Sequence, residues 1–278
     1  MKHEIIMMDG AVGTSLWEKA DHQVPVWRYN VENPAIVREL HQEMADAGAQ
    51  MVLTNTFGAN AGSLVKSSYT VPDIITRGVR LCRETVGSRA QVALAVGPLV
   101  GLMEPYGDIT EEEAEAQYME VLKAGIAEKP DVIYLMTFID LDMLKIAAKC
   151  ARRFDLPLFC SMSFEKVGKT IMGNSVEDMV TGLAPWQPDA IGLNCSMGPD
   201  LAMPVLRQFR SCTDLPLIFK PNAGRTTLVD GKSVTELDPD VFVYDMLPAV
   251  EAGATYIGGC CGTSPGYLKK LVQAIRNI

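Results

Sequence analysis

Short apolar runs rich in β-branched residues alternate along the chain with longer segments in which apolar residues recur every three or four positions. The short runs predict eight strands, at residues 5–8, 51–54, 92–96, 132–135, 158–161, 190–193, 217–219 and 256–257. The longer segments predict eight helices, at residues 34–47, 72–86, 111–128, 141–154, 176–183, 201–210, 239–252 and 265–278. Prolines that suit a first helical turn and glycines that suit a helix end support these boundaries. They are Pro34, Pro72, Pro239 and Pro265, and Gly48, Gly87 and Gly253.

Eight strands that are each followed by a helix predict an α/β fold with a parallel sheet. In 278 residues a closed (β/α)8 TIM barrel accommodates this alternation. The alternative is an open doubly wound sheet, which usually carries G-x-G-x-x-G after its first strand. Residues 9–14 read D-G-A-V-G-T and lack that spacing. Because no linker or change in composition interrupts the pattern, residues 1–278 are predicted to form one domain.

Composition and charge narrow the class of partner. The chain is 48% hydrophobic and 21% charged, as globular proteins are. A net charge of −9 disfavours a nucleic acid or an anionic membrane as the main partner. No run of 18 apolar residues occurs, and the apolar stretch before Asp9 is too short for a signal peptide. We therefore expect a cytoplasmic protein.

Seven cysteines without a secretory signal predict reduced thiols, because an odd number cannot all pair in disulfides. Four of them lie inside predicted elements and are interpreted as small core residues. These are Cys82, Cys150, Cys160 and Cys212. The other three lie in glycine-rich segments at strand ends, where side chains more often do chemistry. These are Cys195, Cys260 and Cys261.

Polar residues and thiols follow most of the predicted strands, at the barrel face where active sites of this fold are built. The first two strands are followed by Asp9, Gly10, Ala11, Thr54 and Asn55. The later strands are followed by Met136, Thr137, Asn194, Cys195, Lys220, Asn222, Cys260 and Cys261. Neighbouring residues of a strand point to opposite faces, so Cys260 and Cys261 can share a metal only if the chain turns there. The surrounding glycines permit such a turn.

Three thiolates would leave one position of a tetrahedral zinc ion open, as in catalytic sites. The assembly would carry a charge of about −1, so it would be a weak Lewis acid toward water. A substrate thiol would nevertheless be deprotonated on coordination, although its free pKa is near ~8.5. The resulting zinc-bound thiolate is a nucleophile, and the pattern therefore favours alkyl transfer to a thiol over hydrolysis.

Other readings of these residues remain open. The adjacent Cys260 and Cys261 could form a redox switch, or could be unreactive buried thiols. Lys220 could be the Schiff-base lysine of a barrel aldolase, since desolvation can activate a lysine amine. None of the three histidines, His3, His22 and His41, adjoins a predicted strand end, which disfavours a mechanism that needs a histidine.

The same segments resemble the homocysteine S-methyltransferase family, especially the homocysteine-binding module of cobalamin-dependent methionine synthases. The matching motifs run from the first strand to the last. They are D-G-A-V-G-T at 9–14, G-A-Q-M-V-L-T-N-T-F at 48–57, G-L-N-C-S-M-G-P at 192–199, P-N-A-G at 221–224 and G-G-C-C-G-T at 258–263. The resemblance implies a TIM barrel, one zinc ion per chain held by Cys195, Cys260 and Cys261, and methylation of a homocysteine-like thiol in methionine biosynthesis.

The resemblance also implies which residues bind the substrate. Asp9 and the backbone near Gly10 and Ala11 would hold the amino-acid end of the thiol. The remaining residues implied to line the pocket are Thr54, Asn55 and Asn222.

One position departs from the family pattern. After the fourth strand the family carries E-T-x-x-D, whose glutamate receives the substrate ammonium, but residues 136–140 read M-T-F-I-D. Met136 therefore leaves that ammonium without a carboxylate, and a buried unpaired charge is costly. Asp9, or a loop residue such as Glu104 or Glu165, compensates, or else the substrate thiol carries no ammonium.

The methyl donor follows only from the resemblance. Family members use methylcobalamin, S-methylmethionine or betaine. We expect a methylated corrinoid, carried by a separate protein that docks over the barrel mouth, because the chain shows no second domain to bind cobalamin or folate. A free donor such as S-methylmethionine is the alternative donor. An alternative to the enzyme function itself is a non-catalytic zinc subunit of a corrinoid methyl-transfer system.

Overall fold

The computed structural model describes residues 4–20, 23–229 and 232–278. These residues contain ten strands and twelve α-helices. The strands are β1 (Ile6–Met7), β2 (Met51–Leu53), β3 (Gln91–Val96), β4 (Val132–Phe138), β5 (Leu158–Met162), β6 (Ala190–Asn194), β7 (Leu217–Lys220), β8 (Thr226–Val229), β9 (Lys232–Thr235) and β10 (Ala254–Ile257). The helices are α1 (Gly13–Lys19), α2 (Tyr29–Glu32), α3 (Pro34–Asp46), α4 (Ala61–Leu64), α5 (Val71–Val86), α6 (Glu111–Ile126), α7 (Leu141–Ala151), α8 (Val176–Leu183), α9 (Pro199–Cys212), α10 (Pro239–Met246), α11 (Pro248–Glu251) and α12 (Pro265–Arg276). Short 3-10 turns lie at Val26–Arg28 and Ala184–Trp186.

Eight of the strands form a parallel sheet in the order β1-β10-β7-β6-β5-β4-β3-β2. The two ends of this sheet meet, because Met8 and Met51 form a parallel bridge. Two backbone hydrogen bonds close the seam, from Asp9 N–H to Met51 O at 3.0 Å and from Gln50 N–H to Met7 O at 2.7 Å. The predicted (β/α)8 barrel is confirmed.

The inside of the barrel is an apolar core with a polar layer toward one end. Alternate residues of each strand point inward, and the inward-facing side chains form a buried cluster separate from the one beneath the helices. This cluster contains Met8, Met51, Leu53, Ala93, Ala95, Val132, Tyr134, Met136, Phe159, Ala190 and Ile218. Farther along the strands the buried side chains become polar, at Asp9, Ser161, Asn194 and Lys220. The polar layer therefore lies at the carboxyl ends of the strands.

The predicted helices are present, with ends that differ by a few residues. Gly48, Gly87 and Gly253 have positive φ angles of 104°, 58° and 87°, as helix-ending glycines often do. The segment predicted as one helix at 239–252 is instead α10 followed by α11, since Pro248 cannot donate a hydrogen bond to the preceding turn. No helix among the described residues is long and apolar enough to cross a membrane.

One pair of strands was not predicted, and one expectation was wrong. Strands β8 and β9 form an antiparallel hairpin between β7 and α10, where the sequence pattern predicted no element. Its signal was present, because residues 230–231 read D-G, a dipeptide typical of tight hairpin turns. Cys212 is exposed, not a core residue, because it is the last residue of α9. Cys82, Cys150 and Cys160 are buried as predicted.

Candidate metal centre

Three cysteine sulfurs converge at the carboxyl-terminal end of the barrel. Cys195 follows β6, and Cys260 and Cys261 follow β10. The three Sγ atoms all lie within 4.8 Å of one another, and Cys195 Sγ is 3.3 Å from Cys261 Sγ. Sulfurs bound at about 2.3 Å to one tetrahedral zinc ion lie about 3.8 Å apart. The donor set therefore fits one zinc ion and would supply three of its four ligands, and no other such cluster occurs among the described residues.

The backbone turns where the adjacent cysteines must face the same side. Cys260 N–H donates to Pro221 O at 2.8 Å, and Cys261 N–H donates to Asn222 Oδ1 at 3.1 Å. Thr263 N–H then bonds back to Cys260 O at 3.0 Å, which closes a turn. Cys195 has a φ of 53°, an uncommon left-handed conformation for a residue with a side chain. Backbone bonds to β7 and the turn after β10 thus bring the sulfurs together.

The three thiols of the cluster shift one another's pKa values. Hydrogen bonds from the Cys195 and Cys261 thiols, together with the nearby Lys220 ammonium, hold the pKa of Cys260 well below its usual range. The pKa of Cys195 is raised because its hydrogen bonds to Cys260 and Cys261, and burial, favour the thiol. A metal that binds here would displace the protons that remain, because ligating sulfur is a thiolate.

Lys220 and Asp9 form a buried ion pair beneath the cysteines. Lys220 Nζ lies 2.8 Å from Asp9 Oδ1 and donates to Asp9 O at 2.6 Å, and the two side chains are 1% and 0% exposed. Leu53 N–H donates to the other Asp9 carboxylate oxygen at 2.8 Å. Burial raises the pKa of Asp9, and the attraction of Lys220 lowers it by less. With its ammonium held by Asp9, Lys220 is placed as an ion-pair partner and not as a free Schiff-base nucleophile.

Two residues predicted to line the pocket are bonded into the fold. The Thr54 hydroxyl lies 2.6 Å from Thr56 Oγ1 and accepts from Ala95 N–H at 3.0 Å. The Asn55 amide donates to Val26 O at 2.8 Å and to an asparagine side chain in α2 at 2.9 Å. Both side chains are buried. They shape the segment after β2, and contact with substrate stays a prediction.

The segment after β1 is tied to the segment after β10. Ala11 N–H donates to Thr263 O at 2.8 Å, and Gly10 N–H points to Met44 Sδ at 3.4 Å. A side chain at Gly10 would lie 2.3 Å from Thr263 O, so the close approach of these segments requires glycine. Asn222, by contrast, is only half-buried and lies beside Cys261.

Met136 lies apart from the two glutamates that were considered as partners for a substrate ammonium. Met136 is 7% exposed and packs in the apolar barrel interior. Glu104 lines a cavity on the flank of the barrel with Lys145 and Lys149, and Glu165 is exposed on the loop after β5. Among the histidines considered, His41 is buried in α3, whereas His3 and His22 lie outside the described residues.

Sequence reasoning missed a polar network on β4, β5 and β6. Asn194 at the end of β6 bonds to Thr137 and Ser161, and Thr137 has a φ of 63°. A β-branched residue rarely adopts this conformation. The signal for these residues is a polar side chain at the end of an otherwise apolar strand, but that signal does not reveal the partners.

Comparison with known proteins places the whole barrel in one group. Residues 6–275 match the profile of the family described as homocysteine S-methyltransferase. The chain is 29% identical over 308 residues to methionine synthase of Mycobacterium tuberculosis, and 27% identical over 300 residues to that of Mycobacterium leprae. These alignments cover 100% and 99% of this chain but 25% and 24% of the relatives. The chain thus spans about a quarter of the length of these relatives.

Solved structures show the same fold. The oxidized form of the homocysteine methyltransferase MmuM from Escherichia coli has a TM-score of 0.82 and is 22% identical, covering 99% of this chain and 96% of that one. The metallated form of MmuM has a TM-score of 0.81 and is 23% identical, covering 97% and 96%.

Proposed function

Because the chain belongs to the homocysteine S-methyltransferase family, we propose that it is a zinc-dependent methyltransferase that methylates the sulfur of a small thiol, with homocysteine as the leading substrate. The observation that carries this proposal is the cluster of three cysteine sulfurs within 4.8 Å of one another at the barrel mouth. Three sulfur ligands leave one zinc position for the substrate, which a closed structural site would not.

The ligands would be Cys195, Cys260 and Cys261. Zinc held by these residues would lower the pKa of an incoming thiol, so that the thiol binds as a nucleophilic thiolate. Two sets of contacts fix the segment that carries Cys260 and Cys261. Lys220 and Asp9 tie β7 to β1 under the turn that carries Cys260, and the Asn222 side chain accepts the backbone N–H of Cys261.

The proposed reaction is a direct displacement. The substrate thiol gives its proton to solvent, and its sulfur attacks the methyl carbon of the donor. A carbon–sulfur bond forms as the bond between methyl and donor breaks, and its electron pair stays with the donor. The family resemblance supports a methylated corrinoid as this donor. S-methylmethionine and betaine are the free donors with which an assay would compare it.

Metal analysis and methylation assays test the proposal together. We expect about one zinc per chain in protein purified under reducing conditions. The Cys260→Ala variant should lose both zinc and methylation of homocysteine, because two sulfurs hold zinc poorly. Cys212→Ala is the matched control, since it removes an exposed thiol outside the cluster and should retain both. Zinc-free wild-type protein, or a Cys260→Ala variant that keeps zinc and activity, contradicts the assignment.

Calorimetric titration identifies the thiol. Homocysteine and 4-mercaptobutyrate differ only in the amino group, so their comparison tests whether the site receives an ammonium despite Met136. Proton release should accompany binding of the true substrate, because coordination removes the thiol proton. Binding of neither thiol would favour a non-catalytic zinc subunit over the enzyme.

A further inference from the structure

The Asn194 side chain reaches from the end of β6 across the barrel to the sulfur of Cys260. Its Nδ2 atom lies 3.9 Å from Cys260 Sγ, and the side chain is fully buried. We propose that Asn194 is a positioning residue that donates an N–H···S hydrogen bond to the Cys260 thiolate, and so stabilises this ligand in the orientation that holds the metal. The inference rests on the zinc-dependent function proposed above.

The neighbours of Asn194 determine which way its amide points. The backbone N–H of Thr137 can only donate, and it meets Asn194 Oδ1 at 2.8 Å. The Ser161 hydroxyl donates to the same oxygen at 2.6 Å. The amide nitrogen must therefore lie on the other side, where it donates to Thr137 Oγ1 at 2.7 Å and faces Cys260. A flipped amide would place an N–H group against the backbone N–H of Thr137, which leaves buried donors unsatisfied.

These bonds form a chain of donors that runs toward the sulfur. Since the single Ser161 hydroxyl proton is used on Asn194, the bond of 2.8 Å between Tyr134 and Ser161 must be donated by Tyr134. Tyr134 thus donates to Ser161, Ser161 to Asn194, and Asn194 to Cys260. Consecutive bonds of the same direction polarise and strengthen one another in a buried site.

The network also holds the strained backbone around the cysteines. Thr137 and Cys195, on either side of the Asn194 amide, both have left-handed backbone conformations, with φ of 63° and 53°. Such residues cost stability and persist only when their surroundings hold them. Asn194 bonds both the backbone and the hydroxyl of Thr137, which holds the end of β4 against β6.

A hydrogen bond to a ligating thiolate changes how strongly that thiolate binds the metal. Hydrogen bonds to a charged acceptor are about twice as strong as neutral ones. Residues that bond to metal ligands change metal affinity by about 10- to 100-fold when they are replaced. We expect this size of effect for the contact between Asn194 and Cys260.

The Asn194→Asp variant removes the N–H donor that faces Cys260 and keeps the shape of the side chain. One carboxylate oxygen keeps the bonds from Thr137 N–H and Ser161, and the Thr137 hydroxyl can rotate to donate to the other. The oxygen that replaces Nδ2 can accept from the Thr137 hydroxyl, but it cannot donate to Cys260. We expect zinc affinity, measured by competition with a chelator, to fall about 10- to 100-fold. The sulfur-to-cobalt absorption band of the Co²⁺ form should shift.

Ser161→Ala is the matched control, because it removes a bond to Asn194 but leaves the N–H group that faces Cys260. Its zinc affinity should stay within about threefold of wild type, since the amide donor is unchanged. If Asn194 acted only by joining the strands, Ser161→Ala would weaken zinc binding at least as much as Asn194→Asp, because Asn194→Asp keeps the bonds between the strands and Ser161→Ala removes one. That result, or an Asn194→Asp variant with wild-type affinity and cobalt spectrum, overturns the proposal.

A measurement on unaltered protein covers the case in which the variant does not fold. In ¹¹³Cd-substituted protein with ¹⁵N-labelled asparagine, one side-chain amide proton should show coupling to the metal through the sulfur. No coupling in a folded, cadmium-loaded protein overturns the role of Asn194. A wild-type chain that binds no zinc overturns the proposed function as well, so the two failures are distinguishable.

Discussion

The ion pair between Lys220 and Asp9 should be one of the most sensitive points of the fold. The Lys220→Met variant keeps the apolar stem and removes the ammonium, which now makes bonds of 2.8 and 2.6 Å to Asp9. The Asp9 carboxylate would stay fully buried, with the backbone N–H of Leu53 as the partner that remains. Breaking a buried pair on one side costs about 3–5 kcal/mol. We expect the free energy of unfolding to fall by that amount.

Urea denaturation at pH 7, followed by circular dichroism on metal-free protein, measures this loss. The double variant Asp9→Asn/Lys220→Met should recover at least half of it, because no buried charge is then left unpaired. Arg80→Met is the control, since it breaks a surface pair with Glu128 and should cost far less stability than Lys220→Met. A Lys220→Met variant within about 1 kcal/mol of wild type, or a double variant no more stable than the single one, would refute the reasoning.

Two further predictions concern buried groups away from the cysteines. Burial lowers the pKa of His41 to about 4, and the Leu53 backbone only partly offsets this shift. Below pH ~6.5 the imidazole of His41 is therefore protonated in the unfolded chain but stays neutral in the folded chain. Between pH 7 and pH 4.5 this difference should lower the free energy of unfolding by about 2–3 kcal/mol. Urea midpoints of wild type and His41→Phe at both pH values test this, and equal pH dependence contradicts it. A side chain at Gly192 would lie 2.0 Å from the carbonyl oxygen of Ile218 in β7. Gly192→Ala should thus lower stability by about 2 kcal/mol or more, measured against Gly13→Ala, whose new methyl has a neighbour only at 3.9 Å.

The architecture and the location of the cysteines were predictable from the sequence. The periodicity of apolar residues marks where each strand ends, and in a parallel barrel all those ends lie on one face. Positions along the chain are therefore enough to bring Cys195, Cys260 and Cys261 to the same rim. The hairpin of β8 and β9 was also within reach, because the D-G dipeptide lies between two β-prone segments.

The partners of the buried polar residues were decided only by the tertiary structure. Lys220 and Asp9 are 211 residues apart in the sequence, and Asn194 and Cys260 are 66 apart. Apolar periodicity reports which face of a strand is buried, but not which strands are neighbours or what faces a side chain across the barrel. Strand order and register place Lys220 against Asp9, and the Thr137 backbone sets the direction of the Asn194 amide. The sequence thus determined which thiols meet, and the packed barrel decided which charges and hydrogen bonds hold them.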